Sequence, residues 1–324
     1  MMDSFRTYFF LFLTIGALAG CQDDDADMSP ADTDLFEQQQ QTIEQYLTER
    51  GIATQQNEAG IHFQVLTENE SGASPEPGQI VNLYYRIEEL EGGLIEAREE
   101  SSGSAPASYI FNDQFLLAPR GLNVMLSQMR EGEEHEFYLP SRWAYLDYSQ
   151  PGVISSNAIV RARIKLVEAL TPNEQKQVED ERINDYLASN QLEDADSLAS
   201  GVYYVQRQAG DTSAMVNNTS TVSLRYTGSL LDGTVFDTNT EAGDQPLEFT
   251  IGQTSLIEGF LTGVLQMSLG EKGTVIIPSH AAYGPGAVAI PYSIVKDWLE
   301  QGATPQRIPP FAILRFDLEV IAVN

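Results

Sequence analysis

One stretch of this chain occurs twice. Gly121–Tyr145 lies over Gly259–Tyr283 without a gap and with nine identical pairs. Among them are Gln128-Met129 with Gln266-Met267, Pro140-Ser141 with Pro278-Ser279, and Ala144-Tyr145 with Ala282-Tyr283. Val81–Tyr85 (VNLYY) matches Val222–Tyr226 (VSLRY), and Ala158–Val167 matches Ala312–Ile321. The period is about 140 residues. A length of 324 residues suits about two domains. The chain therefore reads as two copies of one unit, joined near Leu170–Thr171.

Each unit opens on a helix. Phe36–Arg50 puts Ile43, Tyr46 and Leu47 on one face, and Asn173–Ser189 puts Ile183, Tyr186 and Leu187 on the matching face. Asp34 with Glu37, and Thr171 with Glu174, have the spacing of capping boxes. Pro172 suits a first helical position, and Gly51 suits a helix stop. A short strand follows each helix, Gly60–Leu66 and Gly201–Gln206. Such leading helices could form a dimer interface or pack on their own core; the sequence leaves both open.

The second copy then alternates as strands do. Val222–Tyr226 leads to Thr227-Gly228, and Leu231-Asp232-Gly233 reads as a hairpin turn before Val235-Phe236-Asp237. Pro246–Gly252 and Ala312–Ile321 are further alternating strands. Leu256, Ile257, Phe260, Leu261, Val264 and Leu265 recur at helical spacing, Thr274–Pro278 is a β-branched run, and Tyr283-Gly284 sits in a loop. A helix this short is marginal alone and must be buried on a sheet. We expect an α+β fold: in each unit an antiparallel, strongly curved sheet of about five strands wraps one short helix.

In that order, RYTGSLLDGTVFD, PLEFTIG, LIEGFLTGVLQMSLGEKGTVIIP, AAYG and IPPFAILRFDLEV resemble the FKBP-type peptidyl-prolyl isomerases. Such a reaction needs no nucleophile, metal or cofactor. The barrier to rotating a prolyl peptide bond is ~18–20 kcal/mol and exchange is slow. A dry, ring-lined cup with one or two hydrogen-bond donors disfavours the planar amide relative to the twisted one. The resemblance implies that Tyr226, Phe236, Phe249, Leu256, Ile257, Phe260, Tyr283, Ile308 and Phe316 line such a cup. It implies that the Ile257 N–H and the Tyr283 hydroxyl hold substrate carbonyls, and that Asp237 orients the bound group. Phe260 stands where the family usually has Trp, and Leu247 where an aromatic residue is frequent. Proline-containing polypeptides are the implied substrates. Taken one at a time, these aromatic residues suit an ordinary core equally well; the ordered set points to a site.

Between Tyr283 and Ile308 the chain runs 24 residues, longer than the compact family core. Within it, 288–307 carries Trp298, which we expect to serve substrate binding at the rim; a lid or a decorated surface loop are the alternatives. The first copy is degenerate. Tyr85, Tyr109 and Tyr145 match Tyr226, Phe249 and Tyr283, but Glu96-Ala97 replaces Phe236-Asp237, Leu122 replaces Phe260, Ala162 replaces Phe316, and Leu146 replaces the glycine after the loop tyrosine. Weak or no catalysis is expected there.

The net charge of −29, from 47 acidic and 18 basic residues, repels phosphate backbones and argues against nucleic-acid binding. His62, His135 and His280 have no metal-ligand spacing. Cys21 is the single cysteine, so no intramolecular disulfide can form. The 12-residue apolar run Tyr8–Ala19 after Arg6 is short for a membrane span and reads as a signal peptide. Leu18-Ala19-Gly20-Cys21 resembles a bacterial lipobox, which implies acyl chains on Cys21 and anchoring in an outer membrane, on its periplasmic or outer face. The expected division is a signal peptide at 1–20, an acidic disordered tether at 21–35, a degenerate unit at 36–170 and an isomerase-like unit at 171–324. Oligomeric state is not legible.

Overall fold

The computed structural model describes residues 30–111, 119–192, 194–285 and 308–324. The apolar run 8–19, Cys21, the tether up to residue 29, and Trp298 with most of its loop lie outside the described residues. In the first unit α1 (Pro30–Arg50) leads β1 (Gln55–Gln56), β2 (His62–Thr67), β3 (Ile80–Glu89), β4 (Leu94–Arg98), β5 (Ala107–Ile110), α2 (Leu122–Leu126), β6 (Glu134–Leu139) and β7 (Val160–Leu170). In the second, α3 (Pro172–Ser189) leads β8 (Asp196–Ser197), β9 (Tyr203–Gln208), β10 (Asp211–Met215), β11 (Thr221–Leu230), β12 (Val235–Thr238), β13 (Leu247–Thr250), α4 (Glu258–Val264), β14 (Ser268–Leu269), β15 (Lys272–Ile277) and β16 (Leu314–Val323).

The fold is α+β, and the two units share one topology. The first sheet runs β1-β2-β6-β7-β3-β4 with β5 also on β3; the second runs β8-β9-β15-β16-β11-β12 with β13 also on β11. Every pairing within them is antiparallel. Each sheet counts seven strands rather than about five, because the two-residue β1 and β8 join an edge and one long strand carries two partners on the same side. A small ribbon, β10 with β14, is added in the second unit.

Central strands are apolar on both faces because both faces are covered. In β15, Val275 and Ile277 join Phe260 and Val264 of α4 in one cluster. Ile276, pointing the other way, joins Ile183 and Leu187 of α3. The first unit does the same: Phe137 and Leu139 pack with Leu122, Met125 and Leu126, while Tyr138 packs with Ile43, Tyr46 and Leu47 of α1. Each leading helix therefore closes the outer face of its own sheet.

The helix ends follow from local chemistry. Thr171 accepts from the Glu174 N–H while the Glu174 carboxylate takes the Thr171 N–H, a complete capping box. Both helices stop alike: Ile52 N–H reaches Leu47 O and Leu192 N–H reaches Leu187 O, each across a left-handed residue, Gly51 or Gln191. At the amino end the expectation is corrected. Helix α1 begins at Pro30, so Asp34 lies inside it and caps nothing, and residues 30–35 are helix rather than tether. Asp32 in the first turn is well placed for the helix dipole.

Candidate active site

β11 is the spine of the site. Its alternation sends Tyr226 and Gly228 to the face covered by α4. Gly228 pairs with Phe316 on β16 and with Asp237 on β12. The strand expected over Val222–Tyr226 runs on to Leu230, so Thr227-Gly228 is mid-strand, and the expected turn forms at Asp232-Gly233, where Leu230 and Thr234 close the hairpin. The glycine is there for room. A Cβ at 228 would stand 2.6 Å from the Phe236 ring and 2.9 Å from Phe316.

Around that gap the rings meet edge to face. Phe260 and Phe316 lie 5.1 Å apart at 78°, Phe236 and Phe316 5.6 Å at 81°, and Tyr226 and Phe260 6.4 Å at 80°. Phe249 on β13 backs Phe260 at 6.2 Å. Phe249, Phe260, Phe316 and Ile308 are buried and form the floor and back. Tyr226, Phe236, Leu247, Leu256, Ile257 and Tyr283 are partly exposed against the same cluster and form the rim. All the expected residues that lie within the described stretches are thus brought together.

Polar groups lie along one side. Tyr226 Oη donates to Asp237 Oδ2 at 2.5 Å. Burial, then that bond and the nearby carboxylate charge, push the Tyr226 phenol well above its ordinary range. Burial and the Asp237 charge also push Tyr283 up, so both phenols stay protonated donors. Among the described residues no partner takes the Tyr283 hydroxyl. Ile257 stands just before α4 with extended backbone, and its carbonyl receives the Phe260 and Leu261 N–H groups.

Two further residues had no signal in the sequence. Asn239 accepts the Tyr226 N–H at 2.7 Å and donates to Leu224 O at 3.1 Å, pinning the chain after β12 to β11. Arg225 holds the same loop through Asn239 O at 2.7 Å and Asp244 O at 3.3 Å. His280 is exposed, and the described residues contain no group of three His, Cys, Asp or Glu side chains placed to hold a metal ion.

The equivalent place in the first unit is filled. Ile87 pairs with Ala162 and with Glu96, as Gly228 pairs with Phe316 and Asp237. This corrects the alignment: Glu96 occupies the Asp237 position and Ile95 the Phe236 position, not Glu96 and Ala97. The two hairpins have equal length, and a one-residue slip would turn each side chain to the wrong face. Tyr85 Oη donates to Glu96 Oε1 at 2.5 Å, as Tyr226 does to Asp237. The Ile87 side chain occupies the space that Gly228 leaves. Accordingly Tyr85, Ile95 and Tyr145 are only 7%, 6% and 3% exposed, whereas their counterparts form an open rim. The Tyr145 hydroxyl is buried without a partner.

The model of the FKBP-type peptidyl-prolyl cis-trans isomerase family matches residues 212–321. FK506-binding protein 1 of Rhizopus delemar is 34% identical over 124 residues, 38% of this chain and 99% of that protein. FK506-binding protein 2 of Yarrowia lipolytica is 40% identical over 104 residues, 32% of this chain. The isomerase FkpA of Aeromonas hydrophila is 36% identical over 141 residues, 43% of this chain and 45% of that protein. The chain spans 60% of the Yarrowia protein and 58% of the Arabidopsis thaliana isomerase FKBP15-2. The crystal structure of FkpA from Escherichia coli aligns with a TM-score of 0.33 at 23% identity, over 47% of this chain and 63% of that one. On its residues and its relatives, the chain belongs to the family of FKBP-type peptidyl-prolyl cis-trans isomerases.

Proposed function

We propose that the second unit catalyses cis–trans isomerisation of X-Pro bonds in polypeptide chains. The observation that carries this reading is the contrast between the copies: Tyr226, Phe236 and Tyr283 stand partly exposed around Phe260 and Phe316, whereas Tyr85, Ile95 and Tyr145 are buried with Ile87 in the first unit. Proline would enter over Phe260, between Tyr226, Phe236 and Phe316. Removing a planar amide from water without full compensation costs roughly 2–7 kcal/mol, and the twisted amide, with less charge separation, escapes part of it. At about 1.36 kcal/mol per decade, complete relief would give on the order of 30-fold to 10⁵-fold acceleration, which is the ceiling for this effect. The Tyr283 hydroxyl and the Ile257 N–H hold the flanking carbonyls, and Asp237 fixes the Tyr226 ring. In a proline-limited refolding assay the full chain accelerates the slow phase. Phe236→Ala with Asp237→Ala removes the acceleration while far-UV circular dichroism stays unchanged. A parent without acceleration ends the proposal; a double variant as active as the parent moves the chemistry elsewhere.

The filled first unit favours a second reading, a polypeptide-binding scaffold with vestigial catalysis. It predicts peptide binding by the parent without acceleration.

The place of action rests on the sequence alone. The apolar run 8–19, whose end overlaps Leu18-Ala19-Gly20-Cys21, supports cleavage before Cys21, its lipidation, and work on exported or surface proteins from an outer membrane. Cys21→Ser then releases the protein from the membrane fraction; a variant that stays membrane-bound refutes the anchor. No helix among the described residues is long and apolar enough to cross a membrane.

A further inference from the structure

A buried carboxylate outside the cup holds the turn that carries Tyr283. Glu179 of α3 is 1% exposed. It accepts the Ser279 N–H at 2.8 Å, the Ser279 hydroxyl at 2.6 Å and the Gln175 side-chain amide at 3.0 Å. A carboxylate this deep is costly unless its oxygens are bonded, and here three donors converge on it. Ser279 in turn holds the loop tyrosine from both sides: its carbonyl receives the Ala282 N–H at 3.0 Å and the Gly284 N–H at 2.9 Å. Fixing Ser279 therefore fixes the 281–282 and 283–284 peptide groups, which bracket Tyr283.

The chain contains its own comparison. In the first unit the matching helix position is Gln39, whose Oε1 accepts the Ser141 N–H at 2.8 Å. Its Nε2 turns away to Asn157 O at 2.9 Å. A neutral amide suffices to hold that turn where the hollow is filled. The second unit uses a carboxyl group at the same place, and its neighbour Gln175 has a further connection. Gln175 Oε1 faces Asn82 Nδ2 of β3 in the first unit at 3.5 Å, and Asn82 is also held by Glu168 at 2.9 Å and Ser108 at 2.6 Å. Gln175, Glu179, Ile183 and Leu187 are four steps of one buried stripe on α3.

We infer that Glu179 is a positioning residue for Tyr283 and that Gln175 and Asn82 tie the site's geometry to the first unit. This rests on reading Tyr283 as a donor to substrate. The first unit then contributes to the reaction without a working hollow of its own: it braces the partner helix on which the loop tyrosine depends.

The test is a double-mutant cycle in the full chain. Glu179→Gln replaces one acceptor oxygen by a donor that faces Ser279 Oγ and the Gln175 amide. It lowers kcat/KM by about tenfold, short of the ~10²-fold that a 1 Å misplacement can cost. Placed on Tyr283→Phe it lowers kcat/KM no further, because the group it positions is gone. Asn82→Ala gives a smaller loss that also vanishes on Tyr283→Phe, and Gln39→Ala changes neither background. A Glu179→Gln loss of equal size in both backgrounds, measured beside equal unfolding midpoints, means a role unrelated to Tyr283 and overturns the inference. Should the parent lack activity, the proposed function fails on its own. The positioning is then read from the ¹³C-labelled Tyr283 ring signal, which shifts in Glu179→Gln and not in Gln39→Ala; an unshifted signal overturns it.

Discussion

Gly228 faces Phe316 across the β11–β16 ladder, and the cup exists because nothing projects from that glycine. Ile87 and Ala162 make the same pairing in the first unit with the sizes exchanged, and there the space is occupied. Gly228→Ala should therefore act on the reaction more than on the fold. The new methyl meets Phe236 first, at 2.6 Å, and that ring is partly exposed and can swing outward. We expect kcat/KM to fall at least tenfold, about 1.4 kcal/mol of lost transition-state stabilisation, with an unfolding penalty near 1 kcal/mol. Steady-state kinetics beside a urea titration separates the two; a variant with parental kcat/KM would show that the gap is not used.

The turn after each loop tyrosine gives a second prediction. Gly284 has φ +64° and its N–H reaches Ser279 O; Leu146 has φ +56° and its N–H reaches Ser141 O at 2.8 Å. The first unit keeps the left-handed turn without the glycine that adopts it freely, at a cost of about 1–2 kcal/mol. Leu146 is exposed, so little packing is lost on its removal. Leu146→Gly should stabilise the protein by about 1 kcal/mol or slightly less, after the greater freedom of glycine in the unfolded chain. Gly284→Ala should destabilise it by a similar amount. Urea midpoints check both, and a destabilised Leu146→Gly contradicts the argument.

Strand alternation puts Tyr226, Phe249 and Phe316 on sheet faces and helical spacing puts Phe260 on a helix face. That these rings line one cup is legible only through the ordered resemblance to the isomerase family, since each alone suits an ordinary core. What the sequence hides is cross-strand register. The purpose of Gly228 is visible only opposite Phe316. Glu96 was aligned with Phe236 because its neighbour Ala97 removed the chemical cue, and only the β3–β4 ladder restores it to the Asp237 position. Asn239 and Glu179 act on main-chain groups far away in sequence, which no local pattern announces.

Acid should loosen the first unit before the second. His135 is 2% exposed, stacked on Phe63 with Phe137 beside it, and its Nε2 lies 3.0 Å from Glu133. Its Nδ1 has no partner. Burial lowers its pKa despite the opposing pull of Glu133, and burial likewise lowers that of His62. A histidine with a depressed folded pKa binds its proton more readily when unfolded. Stability is therefore unaffected above about pH 6.5 and declines as pH falls through that value, until the folded form titrates too. The unfolding midpoint of the first unit should start to drop as pH falls below about 6.5, above the window where carboxylates titrate. His135→Gln should flatten that slope; an unchanged slope assigns it elsewhere.

At the matching place the second unit has Gly273 and uses Tyr204 instead. Glu271 is 2% exposed and accepts from Tyr204 Oη, Gln206 Nε2 at 2.8 Å, and the Ser268 N–H and hydroxyl at 3.0 and 2.7 Å. Burial alone would raise its pKa; the four donors reverse that and hold it below the ordinary carboxylate value. The sign is opposite in origin to that of His135 but alike in direction. The unfolded carboxylate takes up a proton first, so the contribution is complete above about pH 4.5 and lost as pH falls through the folded value. Glu271→Ala leaves a buried phenol, an amide and a main-chain N–H unmatched, and should cost about 3–5 kcal/mol at neutral pH. Glu271→Gln keeps one acceptor and should cost less while losing the acid-limb slope. Since Glu271 braces the β14–β15 turn and touches no ring of the cup, kcat/KM of the folded fraction should stay parental in Glu271→Gln. A selective loss of kcat/KM there would place this carboxylate in the reaction and not only in the scaffold.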